Sequence, residues 1–262
     1  MLGRIVAETV ERVAAIAERE RKAIVRRAKL AERAPSFIDA MRGSTIAIIA
    51  EVKRRSPSKG AIRESMAAKR QGAAYELGGA SAISVLTEPA HFGGSVADLE
   101  STRANVAIPL LRKDFHVDEI QLHEARAAGA SAVLLIVRAL PPARLAALME
   151  VAAQLELEAL VEAHTESELA LAIELGARVI GINSRDLETL DIDADVPARL
   201  LSLIPRDAIA IAESGITTRA DVEVRATWGA DAVLVGSALS ASGDPEAAVR
   251  ALTGVQRSVR AR

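Results

Sequence analysis

Short runs of apolar, β-branched residues alternate along this chain with longer stretches in which apolar residues recur three and four positions apart. Those periods belong to buried strands and to amphipathic helices. One phrase marks the switch four times: Gly79-Ala80-Ser81-Ala82-Ile83, Gly129-Ala130-Ser131-Ala132-Val133, Gly176-Ala177-Arg178-Val179-Ile180 and Gly229-Ala230-Asp231-Ala232-Val233. Its glycines lie 50, 47 and 53 residues apart, each after a helical pattern and before an apolar run. A helix that stops on a glycine with positive φ and then feeds a strand leaves this signature. A spacing near 50 residues is too long for one βα unit and fits two. The intervening strands are the apolar runs Ile46–Val52, Ile108–Leu111, Glu158–Val161 and Ala208–Ala212.

The pattern predicts strands over 46–52, 81–86, 108–112, 131–137, 158–162, 178–182, 208–212 and 232–235. It predicts helices over 64–78, 96–104, 118–128, 142–155, 166–175, 196–203, 218–228 and 244–253. Pro141-Pro142 suits the first turn of the fourth of these helices. Eight strand-then-helix units in 262 residues define an α/β protein, a single (β/α)8 TIM barrel. Such a barrel carries its chemistry where the strands end.

Residues 4–33 read as one charged amphipathic helix, with Ile5, Val6, Val13, Ile16, Ala17, Ile24 and Val25 near helical spacing. It is expected to cap one face of the barrel; a coiled-coil arm and a transit peptide are the other readings, and its glutamates argue against the transit peptide. Residues 1–45 are thus an N-terminal helical extension and 46–262 the barrel, together one structural domain. Half of the residues are apolar, enough for a sizeable core, although many are alanine. A net charge of −2 does not suggest a nucleic-acid-binding surface. No cysteine is present for a disulfide or a thiolate metal site. No apolar stretch is long enough to span a membrane and no signal-peptide core is evident, so the expected location is the cytoplasm.

Polar residues collect at the C-terminal ends of the predicted strands. Glu51 and Lys53 end the first and, two apart, point to one side. Lys113, Glu162, Asn183 and Glu213 end the third, fifth, sixth and seventh. Charges do not sit unpaired there without cost, so pairing with each other or with a ligand is expected. Carboxylates and lysines together supply general acids and bases. After the last two strands come Glu213-Ser214-Gly215 and Val235-Gly236-Ser237. Loops at those positions bind phosphate on backbone N–H groups in many barrels, and glycine lets the backbone approach the anion. The basic loop Lys53–Lys59 adds cations; as a nucleic-acid patch it is short and lacks stacking residues. Phe92 and Phe115 follow strands two and three, as a loop plug or as a slot for a flat ring. Dinucleotide and P-loop signatures are absent, and the four histidines form no metal-binding pair.

Several of these segments resemble the indole-3-glycerol phosphate synthase family. They are Ile49-Ala50-Glu51-Val52-Lys53-Arg54-Arg55-Ser56-Pro57-Ser58-Lys59-Gly60, Leu86-Thr87-Glu88 with Phe92-Gly93-Gly94-Ser95, Leu111-Arg112-Lys113-Asp114-Phe115, Val161-Glu162-Ala163-His164, Gly181-Ile182-Asn183-Ser184-Arg185-Asp186-Leu187, Glu213-Ser214-Gly215-Ile216 and Val235-Gly236-Ser237. The resemblance covers nearly the whole chain. Ser184 stands where the family commonly has a second Asn, and Gly93 sits in a variable loop.

The resemblance implies the penultimate step of tryptophan biosynthesis. The substrate would be a small phosphorylated molecule, 1-(2-carboxyphenylamino)-1-deoxyribulose 5-phosphate, which cyclises and loses carbon dioxide and water to give indole-3-glycerol phosphate. It implies that Lys113 protonates the ketone oxygen. Glu162 stabilises the cation at nitrogen or takes a proton, and Glu51 with Lys53 assists dehydration. Ser214, Gly215, Gly236 and Ser237 would hold the phosphate, helped by Lys53, while Phe92 and Phe115 pack the ring. Ser56 and Arg185 would take the carboxylate or the sugar hydroxyls, and Asn183 and Glu213 would position hydroxyls. No metal or organic cofactor is expected, because the carboxylate leaves from a ring made cationic by cyclisation. Two other functions fit the barrel: a phosphoribosylanthranilate isomerase-like sugar-phosphate isomerase, and a non-catalytic barrel that binds a phosphometabolite. An isomerase has no use for the Glu-x-Lys-x-x-Ser-Pro loop, and a binding module has none for paired acids and bases.

Overall fold

The computed structural model describes residues 1–258 and 260. The expected barrel segment runs to 262; residues 259, 261 and 262 lie outside the described residues. Eight parallel strands close a barrel: β1 (Ala47–Val52), β2 (Ala82–Leu86), β3 (Leu110–Lys113), β4 (Ala132–Ile136), β5 (Glu158–Ala163), β6 (Val179–Asn183), β7 (Ile209–Glu213) and β8 (Ala232–Val235). Each pairs with its neighbours in chain order, and β1 closes on β8. β3 starts two residues later than expected, after Pro109, which has no N–H to give a ladder.

Side chains alternate in and out of the barrel. Ile48, Ile83, Leu110, Val133, Val161 and Ile180 belong to the core between strands and helices. Ile49, Leu111, Leu160 and Ile211, one from each odd-numbered strand, belong to the core inside the barrel with Leu134, Val179 and Leu234 from even-numbered strands. This is how a barrel interior fills, in layers drawn from alternate strands.

Helices α4 (Ala68–Leu77), α6 (Val96–Arg103), α7 (Glu119–Ala127), α8 (Pro142–Gln154), α9 (Glu166–Glu174), α10 (Asp195–Leu200), α11 (Arg219–Thr227) and α13 (Pro245–Arg250) follow the strands. Local chemistry sets their starts. Asp118 with Gln121, and Thr218 with Asp221, form capping boxes at α7 and α11, and Pro142 opens α8. Short helices α5 (Pro89–Phe92) and α12 (Ser237–Ala241) and a hairpin of Arg55–Ser56 with Gly60–Ala61 decorate the C-terminal mouth. The four repeat glycines all have positive φ, between 75° and 92°.

The extension differs from the single helix expected over 4–33. It is broken into α1 (Leu2–Ala14) and α2 (Glu18–Leu30), followed by α3 (Phe37–Ala40). Arg21 on α2 donates to the carbonyls of Val13 (2.7 Å) and Ile16 (3.4 Å) and so closes the end of α1. The segment serves both ends of the barrel rather than one face. Leu2 and Ile5 of α1 border the mouth, and α2 packs along α7. At the opposite end Phe37, Ile38 and Met41 join the inner core, and Glu158, the first residue of β5, accepts from Ser36 Oγ (3.1 Å) and Phe37 N (2.7 Å). Among the described residues no helix is long and apolar enough to cross a membrane.

Candidate active site

A cavity of about 210 Å3 opens at the C-terminal mouth. Glu51, Lys53, Ser56, Phe92, Lys113, Phe115, Glu162, Asn183, Arg185, Ser214, Gly215, Gly236 and Ser237 all line it. Of the residues expected at the site, Glu213 alone does not. It is buried in the same layer as Lys113, from which it accepts.

The acid–base residues form one layer. Glu51, Lys113, Glu162 and Glu213 come from β1, β3, β5 and β7, each two residues beyond the apolar layer of Ile49, Leu111, Leu160 and Ile211. The apolar side chains exclude water from below and lower the local dielectric, which strengthens every charge interaction above them. Lys113 Nζ donates to Glu213 Oε2 at 2.9 Å and lies 3.4 Å from Glu51 Oε2. Glu51 Oε1 lies 2.7 Å from Lys53 Nζ. The layer was readable in the sequence as an apolar residue two before each strand-end charge, once the strands are numbered.

Burial works against the charge on Lys113, but Glu213, Glu51 and Glu162 outweigh it and raise the pKa above that of a free lysine. Burial also opposes the charge on Glu51, and Lys53 and Lys113 overcome it to lower that pKa. Glu162 goes the other way. Burial, then repulsion from Glu213, push its pKa up to about 8 against the pull of Lys113. Both causes favour the protonated form of Glu162. Its carboxyl lies near that of Glu213, one of whose oxygens, Oε1, is buried without a donor among the described residues.

The two loops expected to hold an anion border the same cavity. Ser214 has a φ of 67°, unusual for a residue with a side chain, and its hydroxyl donates to Asn183 Oδ1 at 2.8 Å. Asn183 Oδ1 also accepts from Arg185 N at 3.0 Å, so Asn183 ties two mouth loops together. Gly236 is needed for space: a Cβ there would collide with Glu51 Oε1 and come within 2.8 Å of Lys53 Nζ. Ser184, the departure from the family pattern, is fully buried and donates to Glu213 O at 3.0 Å, away from the cavity. Arg54, in the basic loop, turns from the mouth to form a double hydrogen bond with Asp98 at 2.6 Å. Phe92 and Phe115 face each other across 6.2 Å between ring centres. Lys59, from the basic loop expected to add cations, lines the cavity too, and the apolar Leu2, Ile5 and Ile216 complete walls that sequence reading did not assign. Among the described residues no cluster of three or more His, Asp or Glu is arranged to hold a metal ion.

Fold and site together define a (β/α)8-barrel enzyme with a buried acid–base layer under its mouth. A sequence profile described as "Indole-3-glycerol phosphate synthase" matches residues 2–252. The indole-3-glycerol phosphate synthase of Micrococcus luteus is 51% identical over 215 residues, covering 82% of this chain and 80% of that one. That of Mycolicibacterium gilvum is 50% identical over 235 residues, covering 87% and 86%. A solved structure described as thiamine phosphate pyrophosphorylase from Pyrococcus furiosus superposes with a TM-score of 0.61 at 17% identity, over 79% of this chain and 93% of that one; it shows the fold alone. The chain belongs to the indole-3-glycerol phosphate synthase family, whose members are carboxy-lyases of tryptophan biosynthesis. That membership sets aside the isomerase and the binding-only barrel.

Proposed function

We propose that this enzyme converts 1-(2-carboxyphenylamino)-1-deoxyribulose 5-phosphate to indole-3-glycerol phosphate, carbon dioxide and water. The observation that carries the assignment of roles is the layer of Glu51, Lys113, Glu162 and Glu213, in which a protonated lysine lies between two glutamates, beside a third whose pKa is raised. In ring closure the aromatic carbon bearing the carboxylate attacks the ketone carbon. The carbonyl electron pair takes a proton from Lys113, and positive charge passes to the ring and its nitrogen. The carboxylate then leaves as carbon dioxide, and its bonding pair restores the ring. In dehydration Glu162 gives its proton to the departing hydroxyl, and the ionised Glu51, held between Lys53 and Lys113, accepts a proton from the adjacent carbon. Two protons given and one taken balance loss of carbon dioxide from a carboxylate.

Ser214, Gly215, Gly236 and Ser237 hold the phosphate, with Lys53 as its cation. Buried Arg225 supports this reading: its guanidinium reaches Gly215 O at 3.5 Å and lies over Trp228, placing positive charge under that loop. Phe92 and Phe115 take the ring, and Ser56 and Arg185 are the polar partners for the carboxylate or sugar hydroxyls. We also read extension and barrel as one structural domain, because α1 and α3 complete opposite ends of it. Phosphorylated intermediates do not cross membranes unaided, which places the reaction in the cytoplasm with the enzymes that make and use them.

Lys113→Met tests the assignment. Positioned acid catalysis contributes about 10²–10⁴-fold, so kcat falls by that factor while the product still binds. A variant that keeps more than about a tenth of the wild-type kcat, against that range, makes Lys53 the acid instead.

A further inference from the structure

The aromatic pair is held from outside the barrel. Phe92 ends the short helix α5, whose backbone N–H groups are satisfied by one side chain. Glu88 accepts from Ala90 N (3.0 Å), His91 N (2.6 Å) and Phe92 N (3.1 Å). Phe115 is tied in the same way by Asp114, whose Oδ1 accepts from Phe115 N at 2.9 Å and whose Oδ2 accepts from Thr87 Oγ1 at 2.7 Å. Glu88 and Asp114 are both about 2% exposed. They follow the ends of separate strands, β2 and β3. Arg12, near the end of α1, pairs with both: it donates to Asp114 Oδ1 at 3.3 Å and lies 3.7 Å from Glu88 Oε1.

The same helix grips the same wall twice more. Glu8, one turn earlier, pairs with His91 Nε2 at 2.6 Å, and Ile5, a turn before that, packs in the core that contains both phenylalanines. Ile5, Glu8 and Arg12 are three and four residues apart and so share one face of α1. A planar guanidinium presents a rigid fork of donors to both carboxylates, which a lysine ammonium does not.

We propose that Arg12 is a positioning residue for the substrate's ring: it fixes the separation of Phe92 and Phe115 through Glu88 and Asp114, and so makes the N-terminal extension part of substrate selection. This rests on the reading that the two rings hold the aromatic part of the substrate. A position that acts on the ring slot through its supports alters binding of anything with a ring and spares what carries only the phosphate.

The test uses the full chain and two ligands as competitive inhibitors: indole-3-glycerol phosphate, which has ring, hydroxyls and phosphate, and glycerol phosphate, which has hydroxyls and phosphate without the ring. Arg12→Gln raises KM and the inhibition constant of indole-3-glycerol phosphate by about tenfold, a coupling in the range seen for residues acting through shared partners. It leaves kcat within about twofold and the glycerol phosphate constant unchanged, since no ring contact is involved. Arg12→Lys keeps the charge without the fork and lies between the two; it also serves if the Gln variant folds poorly. Phe92→Ala separates the inference from the reading beneath it. If Phe92→Ala leaves the inhibition constant of indole-3-glycerol phosphate unchanged, the ring does not bind there and both fall. If Phe92→Ala weakens it and Arg12→Gln does not, only the role of Arg12 is overturned. The double variant is less than additive when Arg12 acts through Phe92; strict additivity, or a fall in kcat at constant KM, also overturns the role.

Discussion

The two ends of the barrel use the same residue types to opposite effect. At the N-terminal end each carboxylate is matched to donors of its own. Asp231 accepts from Ala210 N at 2.7 Å and from Arg260 at 2.6 Å through Oδ2, and pairs with Arg257 through Oδ1. Glu158 has a separate donor on each oxygen, from Ser36 and Phe37. At the mouth the carboxylates share. Glu51 is divided between two lysines, and Lys113 between two glutamates. A group with private partners has one favoured protonation state. Groups that share partners exchange protons when a ligand changes the balance, which is what acid–base catalysis requires. The difference follows the division of labour in this fold, with stability at one end and chemistry at the other.

The largest expected effect tests the mouth. Glu162→Gln keeps the shape and removes the proton that is given away, so kcat falls by about 10²–10⁴-fold. The pH dependence of stability changes with it. The pKa of Glu162 is raised from 4.5 to about 8 in the folded protein, so its contribution to stability is fully present below pH 4.5 and is lost as pH rises through 8. The Gln variant does not titrate there. Unfolding free energies at pH 5 and pH 9 should drop between the two values by less in the variant than in the wild type. An unchanged kcat, or parallel pH profiles, would remove Glu162 from the shared layer.

The other end gives the converse. Asp231→Ala leaves Arg260, whose side chain is 4% exposed, without its buried counter-charge, and frees Ala210 N as well. Removing one member of a buried pair costs about 3–5 kcal/mol; Arg260 keeps carbonyl acceptors on Gly229 and Ala208, which holds the loss to about 3 kcal/mol. Denaturant unfolding measures that loss. Steady-state kinetics of the folded variant should match the wild type. A stable variant with damaged kcat would mean that this end also serves catalysis.

The mouth's side of this contrast was legible in the chain. Strand ends hold the charged residues because the strand pattern is short and unbroken, as at Glu158–Ala163, and the first polar position past it must reach the mouth. What stayed hidden depends on distance across the barrel. Pairing among the strand-end charges was expected, but which charges pair was not: Glu213, a hundred residues on, is the nearest partner of Lys113. That contact follows from closure of the barrel, which brings β3 and β7 into one layer. The break between α1 and α2 was hidden for a similar reason. Residues 15–17 continue a helical pattern, and Arg21 turning back onto Val13 and Ile16 is a tertiary contact with no local signal. Gly236 carries a third lesson. A glycine beside an expected anion site invites an account from backbone approach, whereas its neighbours also require space for the Glu51–Lys53 pair.

Glycine in the repeated phrase answers a different need, and there the smallest effect is expected. Gly79, Gly129, Gly176 and Gly229 all turn the chain from helix to strand with positive φ. At Gly129 an added Cβ would lie 2.7 Å from Arg103 Cγ, and at Gly229 it would collide with Arg260, so substitution there mixes conformational strain with contact. Gly176 is clean: its φ is 75° and nothing lies within 4 Å of an added Cβ. Gly176→Ala therefore isolates the cost of holding a side chain in the left-handed region, about 1 kcal/mol. It lies far from the layer of Glu51 and Lys113 in the fold's logic, at the entry to β6 rather than its end, so kcat and KM should stay at wild-type values. Thermal or denaturant unfolding reads the loss directly. If Gly176→Ala is as stable as the wild type, the turn into β6 does not need positive φ, and the phrase that marks every second strand owes its glycine to something other than backbone conformation.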